Sequence, residues 1–156
     1  MAEPVDYKEL YRVQDKILDI IFSEESIFYL TGGTCINRFY SEKRYSDDLD
    51  FFTSDNNLFR DNIRMMYNIF GENKISIEQV ADSKDFVRII VDEILKVDFV
   101  NDRTFYYGKT LQSGKGYILD KLTVKDQSFL SMIKTGYHLM VDDIICGGNN
   151  RLFGEF

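Results

Sequence analysis

The chain reads as an α/β (α+β) protein, a mixed β-sheet flanked by helices, and three observations predict this. Residues 49–53 and 95–100 read as strands whose side chains alternate between faces with period two, Leu49 and Phe51 sharing one face of the first and Leu95, Val97 and Phe99 one face of the second. Residues 7–22 and 59–70 instead repeat their apolar positions at helical spacing. The 156 residues, 44% hydrophobic and 15% aromatic, suffice for one substantial core. With one proline and no linker, repeat or low-complexity run, a single domain over residues 1–156 is expected, its C-terminal helical region beginning near residue 117.

The elements follow in order. Tyr7, Leu10, Tyr11, Leu18 and Ile21 form the buried stripe of a first helix. Residues 27–31, a short apolar and aromatic run, make a strand feeding the Gly32-Gly33 turn, where two glycines allow φ > 0 and close approach of a ligand. Thr34 is placed to cap a helix over 35–40, and the next strand is 49–53. Asn57 then caps a helix with the stripe Phe59, Ile63, Met66, Tyr67 and Phe70, ended by Gly71. Strands follow at 75–80 and 86–91, and Asp92-Glu93 turns the chain into 95–100. Thr123 with Asp126 resembles a capping pair for a last helix with the stripe Phe129, Ile133, Tyr137, Met140 and Ile144, stopped at Cys146-Gly147-Gly148. Core packing is the ordinary use of that stripe; an uncovered part would serve as a dimer or partner interface.

Two features carry chemistry. The free N–H groups around Gly32-Gly33-Thr34 form a phosphate-sized opening that suits a triphosphate. On the following strand, Asp48 and Asp50 share a face while Leu49 and Phe51 face the core. Two close carboxylates repel unless a cation sits between them, and hard oxygen ligands favour Mg²⁺ or Mn²⁺ over zinc. Asp98, opposite Leu95, Val97 and Phe99 on its own strand, completes a set of three acids if the two strands are neighbours. Such a site suits nucleotidyl transfer, with two metals and Asp98 as general base or bridging ligand. Ser46 and Arg44 either order the strand entrance or touch phosphate.

The segments Phe28-Tyr29-Leu30-Thr31-Gly32-Gly33-Thr34, Arg38-Phe39-Tyr40, Arg44-Tyr45-Ser46-Asp47-Asp48-Leu49-Asp50-Phe51-Phe52 and Leu95-Lys96-Val97-Asp98-Phe99-Val100 closely resemble the AbiEii/AbiGii toxin family of nucleotidyltransferases. The resemblance runs from about Leu10 to Asp102 and is specific through the combination of double glycine and Asp-x-Asp. It implies a DNA-polymerase-β-like nucleotidyltransferase core, Mg²⁺, an NTP substrate, an RNA acceptor, tRNA in particular, and a toxin role with a cognate antitoxin or in phage defence. It further implies that Gly32, Gly33 and Thr34 bind nucleotide, joined by Ser46, and that Asp48, Asp50 and Asp98 bind metal. After about Gly116 the sequence departs from the family pattern: Lys121, Lys125 and Lys134 are candidates for a triphosphate-contacting lysine, none in a close copy of the motif, and 147–156 stands where family members continue into more helices. A catalytically impaired nucleotide- or partner-binding module of the same fold is therefore the alternative.

Composition and the remaining motifs narrow the field. A net charge of −7 argues against tight general nucleic-acid binding. Local basic patches could still form from Lys43-Arg44, Arg60, Arg64, Lys109, Lys115, Lys121 and Lys125, or these are ordinary solvated charges. Residues 1–9 lack a signal-peptide core and no apolar run approaches the ~20 residues that span a membrane, so a cytoplasmic protein is expected. Cys35 and Cys146 read as thiols. An EF-hand starting at Asp48 would need glycine where Thr53 stands and a bidentate acid where Phe59 stands. No Walker-type loop is present, His138 has no partner in a recognisable motif, and neither Ser46 nor Cys35 belongs to a triad.

Overall fold

The structure, a computed structural model, describes residues 4–23, 26–41, 45–103 and 110–120. The helix read from the C-terminal stripe, with its cap, His138 and Cys146, lies outside the described residues, as do Lys43, Arg44, Lys109, Lys121, Lys125 and Lys134. Among the described residues no helix is long and apolar enough to cross a membrane.

Helix α1 spans Tyr7–Ile21, and its N-cap Asp6 accepts hydrogen bonds from the backbone of Lys8 and Glu9. Strand β1 (Tyr29–Thr31) runs into α2 (Gly32–Cys35), which continues as one π-helical stretch over Ile36–Ser41. The helix thus begins at Gly32 with Thr31 as N-cap. Thr34 lies inside it and caps nothing, because its hydroxyl turns to the chain ahead of the next strand.

Strand β2 (Asp48–Thr53) is followed by α3 (Phe59–Glu72). The expected stripe holds, with Phe59, Ile63, Met66 and Phe70 buried, but both expected ends move. Asn57 is not the cap; the Asp55 carboxylate accepts from the N–H groups of Asn57 and Leu58 two and three residues on, an Asx turn. Gly71 stays helical, and the left-handed residue past the end is Lys74, at φ 56°.

Strands β3 (Ile77–Asp82), β4 (Phe86–Val91) and β5 (Leu95–Asn101) form an antiparallel meander. Its second turn places Asp92 and Glu93 at φ 48° and 64°, the positive angles of a tight hairpin. Strands β6 (Thr110–Gln112) and β7 (Ile118–Asp120) make a hairpin, and β7 is a strand where the helical region expected from about residue 117 would begin.

All seven strands form one mixed sheet in the order β3-β4-β5-β2-β1-β7-β6. Strand β2 pairs antiparallel with β1 and parallel with β5, and β7 pairs parallel with β1. One face of the sheet, with Leu30, Leu49, Phe51, Val87, Ile89, Val97 and Phe99, merges with the stripes of α1 and α3 into a single core. The other face carries the acids.

Candidate functional site

Register decides what meets on that second face. Asp50 stands opposite Asp98 across the parallel β2–β5 pair and opposite Thr31 across the antiparallel β1–β2 pair, so it lies between the third acid and the glycine turn. Asp48 stands opposite Lys96, and Arg88 opposite Asp98. The alternation of β2 is regular: Asp48, Asp50 and Phe52 are half-buried, and Leu49, Phe51 and Thr53 are buried.

The acids meet cations supplied by the neighbouring strands. Lys96 Nζ lies 2.9 Å from Asp48 Oδ2. Arg88 grips Asp98 with both arms of its guanidinium, Nε donating to Oδ1 and Nη2 to Oδ2, each at 2.7 Å. Asp98 is nearly inaccessible, so the fork pairs both oxygens of a buried carboxylate with one cation. Neither cation was singled out by sequence reasoning. Their only signal is a basic residue in phase with the acids on an alternating strand.

Asp50 has no such ion-pair partner among the described residues and lies between Asp98 and the glycine turn. Burial first, then the Asp48 and Asp98 charges, push its carboxyl up to about 6, against a smaller opposing pull from Lys96 and Arg88. Folding therefore concentrates more negative charge here than the two basic side chains neutralise. That excess, on oxygen donors, fits a hard divalent cation. Asp48 and Asp50 are the residues that could hold one, with Asp98 beside them. As the side chains are placed, no group of three or more acidic, histidine or cysteine residues among the described residues forms a ready metal site, since Asp48 and Asp98 are turned onto Lys96 and Arg88.

The two glycines differ. Gly32 has φ 74°, and a Cβ there would lie 2.5 Å from Asp50 Oδ2, so both backbone and carboxylate require glycine. Gly33 has no left-handed φ, and a Cβ there would make ordinary contacts, 3.7 Å to Ser46 Oγ and 3.8 Å to Asn37 Nδ2. Asn37 is buried and its Nδ2 has no hydrogen-bond partner. A donor left this way costs about 1–3 kcal/mol, which makes it a second feature missed in the sequence.

Thr34 and Ser46 are placed together but bound to each other. Thr34 Oγ1 lies 2.6 Å from Ser46 Oγ and donates to the Asp48 carbonyl, which leaves Ser46 to donate to Thr34. The pair pins the start of β2 to α2. From α1, fully buried Gln14 donates to the Ser46 carbonyl at 2.8 Å and accepts from Arg38, and the Tyr11 hydroxyl accepts from Ser46 N at 3.1 Å. Arg38 also pairs with Asp15 at 2.6 Å and lies 4.3 Å above the Tyr11 ring, while Tyr45 stacks on Tyr7 at 4.2 Å. Gln14 was legible as a polar residue inside an apolar stripe.

The surface basic residues that are described make ordinary contacts. Arg60 pairs with Asp82 and Arg64 with Asp61, and Lys115 lies 6.0 Å from the Tyr117 ring centre. Cys35 is a buried thiol.

Comparison with known proteins agrees with this arrangement. JHP933 from Helicobacter pylori is similar in structure, with a TM-score of 0.59 at 15% identity over 89% of this chain and 70% of that one. A second H. pylori protein, a candidate nucleotidyltransferase, gives 0.56 at 14% identity over 88% and 72%. At such identity these likenesses speak to the fold, which is that of the nucleotidyltransferases. A search of curated protein sequences gave no match. The family profile described as "Nucleotidyl transferase AbiEii toxin, Type IV TA system" matches residues 17–118, a span that holds the glycine turn, all three acids and strand β6 beyond them, and ends at the first residue of β7. On that match the chain belongs to the AbiEii family of nucleotidyl transferase toxins.

Proposed function

We propose that this protein transfers a nucleoside monophosphate from an NTP to an acceptor hydroxyl, with Mg²⁺ or Mn²⁺, and that it acts in the cytoplasm as the toxin of a toxin–antitoxin pair. The observation that carries the reading is the placement of Asp50 between Asp98 and the Gly32 turn, which sets the glycine turn directly against a carboxylate cluster with unneutralised charge.

In this reading Asp48 and Asp50 hold the cation. When bound, it supplies Lewis acidity at the α-phosphate and offsets charge on the departing pyrophosphate. The Gly32-Gly33 turn, with the start of α2, receives the β,γ-phosphates, and the unpartnered Nδ2 of Asn37 is a donor on the same side. Thr34 and Ser46 contribute by fixing the turn to β2 rather than through a free hydroxyl. Asp98 takes the proton of the acceptor hydroxyl as its oxygen bonds to the α-phosphorus and the bond to pyrophosphate breaks. RNA, tRNA in particular, is the proposed acceptor by family, and a cognate antitoxin the proposed partner. A second reading, a nucleotide-binding module that no longer transfers, draws support from the ion pairs that engage Asp48 and Asp98.

The test is transfer of label from each of the four α-labelled NTPs, with Mg²⁺, to total bacterial RNA and to the protein itself, for wild type and Asp48→Asn. Label that appears with wild type and falls at least about a hundredfold in the variant is expected, the size of a lost charge-stabilising group. Binding of Mg-NTP by wild type without any label would select the binding module.

A further inference from the structure

The acidic face carries its own counter-ions, and they are held in two different ways. Lys96 touches Asp48 through a single ammonium contact at the end of a flexible stem, with 40% of its side chain exposed. Arg88 meets Asp98 through a planar two-pronged contact, is the register partner of Asp98 on β4, and has its guanidinium carbon 5.3 Å from the Phe86 ring centre. A fork fixes the plane of the carboxylate; a point charge does not.

We infer that Arg88 is a positioning residue that sets the orientation of Asp98 for proton transfer, and that Arg88 and Lys96 together act as internal counter-cations against which the metal must bind. The inference rests on the metal-dependent reading above and adds a regulation of that site. Lys96 pairs with Asp48 and Arg88 with the neighbouring Asp98, so each repels an incoming divalent cation, and Lys96 also occupies an oxygen the cation would use. Metal entry displaces the lone Lys96 contact more readily than the fork, because one hydrogen bond is lost instead of two. Arg88 then remains on Asp98 when the site is loaded. Removing Arg88 should therefore tighten metal binding while slowing transfer, a combination that mere loss of structure does not produce.

The experiment is a Mn²⁺ titration followed by electron paramagnetic resonance, together with single-turnover transfer at saturating Mn²⁺, on wild type, Arg88→Gln, Arg88→Lys and Lys96→Met, each checked for folding by circular dichroism. Arg88→Gln and Lys96→Met should each bind Mn²⁺ about threefold to tenfold more tightly, as expected for one charge near contact distance in a wet site. Arg88→Gln should also transfer at least about tenfold more slowly. Arg88→Lys, which keeps the charge and loses the fork, should restore wild-type Mn²⁺ affinity but not the rate. Equal or weaker Mn²⁺ binding by folded Arg88→Gln and Lys96→Met, or a full rate in Arg88→Gln, would overturn the inference while leaving the metal-dependent reading in place. Absence of Mn²⁺ binding by wild type would overturn that reading and the inference with it.

Discussion

On one face of the β2–β5 pair, Leu49, Phe51, Val97 and Phe99 are fully buried, and the rings of Phe51 and Phe99 stack 5.5 Å apart. On the other face of the same strands, Asp48, Asp50 and Asp98 crowd together with Lys96 and Arg88. The backbone hydrogen bonds are common to both, and only the parity of each residue decides which face it joins. The apolar face gains from burial and has no use for charge. The acidic face sets three carboxylates against two basic side chains. One strand pair thus holds the fold together on one side and stores unneutralised charge on the other.

That contrast can be broken most forcefully from the apolar side. Phe51→Ala should cost about 3–5 kcal/mol by denaturant unfolding, because the cavity would open beneath Phe22, Phe99 and the helix stripes. A cost below about 1 kcal/mol would mean that the core is not closed over this face.

Gly32→Ala probes the seam between the faces. The left-handed φ alone costs about 1–2 kcal/mol, and the new Cβ would press on Asp50. The fold should survive with lowered stability while Mn²⁺ binding is lost, as read by thermal melts with and without Mn²⁺.

Asp50→Asn sharpens the comparison because its sign is reversed. The Asp50 carboxyl titrates near 6 in the folded chain against an ordinary 3.8, so its contribution is fully present below the ordinary value and is lost as pH rises through 6. Metal-free wild type should therefore lose stability over that window. The Asn variant, which carries no charge there, should match wild type near pH 3.5 and be more stable by about 1 kcal/mol at pH 7.5, allowing for solvent screening. Melting curves of both proteins in chelator across that range measure the difference; a variant less stable than wild type at pH 7.5 would contradict it.

Much of this was legible in the chain because side chains on β2 and β5 alternate between faces, and that parity assigns Asp48, Asp50 and Asp98 without knowledge of tertiary structure. The adjacency of β2 and β5 required only the assumption that two strands with acids in phase are neighbours. What escaped was set across strands or by choice among equivalent local groups. Arg88 and Lys96 matter through partners on other strands, which no local pattern reports. Asn57 and Thr34 were plausible caps, but Asp55 took the N–H groups of Asn57 and Leu58 just ahead of α3, and the Thr34 hydroxyl found Ser46 and Asp48 instead. The β6–β7 hairpin escaped because its strands are too short to show a period.

The pairing of β7 with β1 also bears on how the chain assembles. Strands β2 to β5 can come together through a helix crossover and two tight turns, but Leu30 finds Leu119 only after everything between them has been folded or looped out. Closing so long a loop is slow, and until it closes one edge of β1 offers unpaired N–H and C=O groups to any passing strand. The hydroxyl of Tyr117 on Asp19 of α1 then latches the returning hairpin. Among the described strands the first thus waits for the last to cover its second edge, while the glycine turn that β1 carries is already tied to β2 through Thr34 and Ser46.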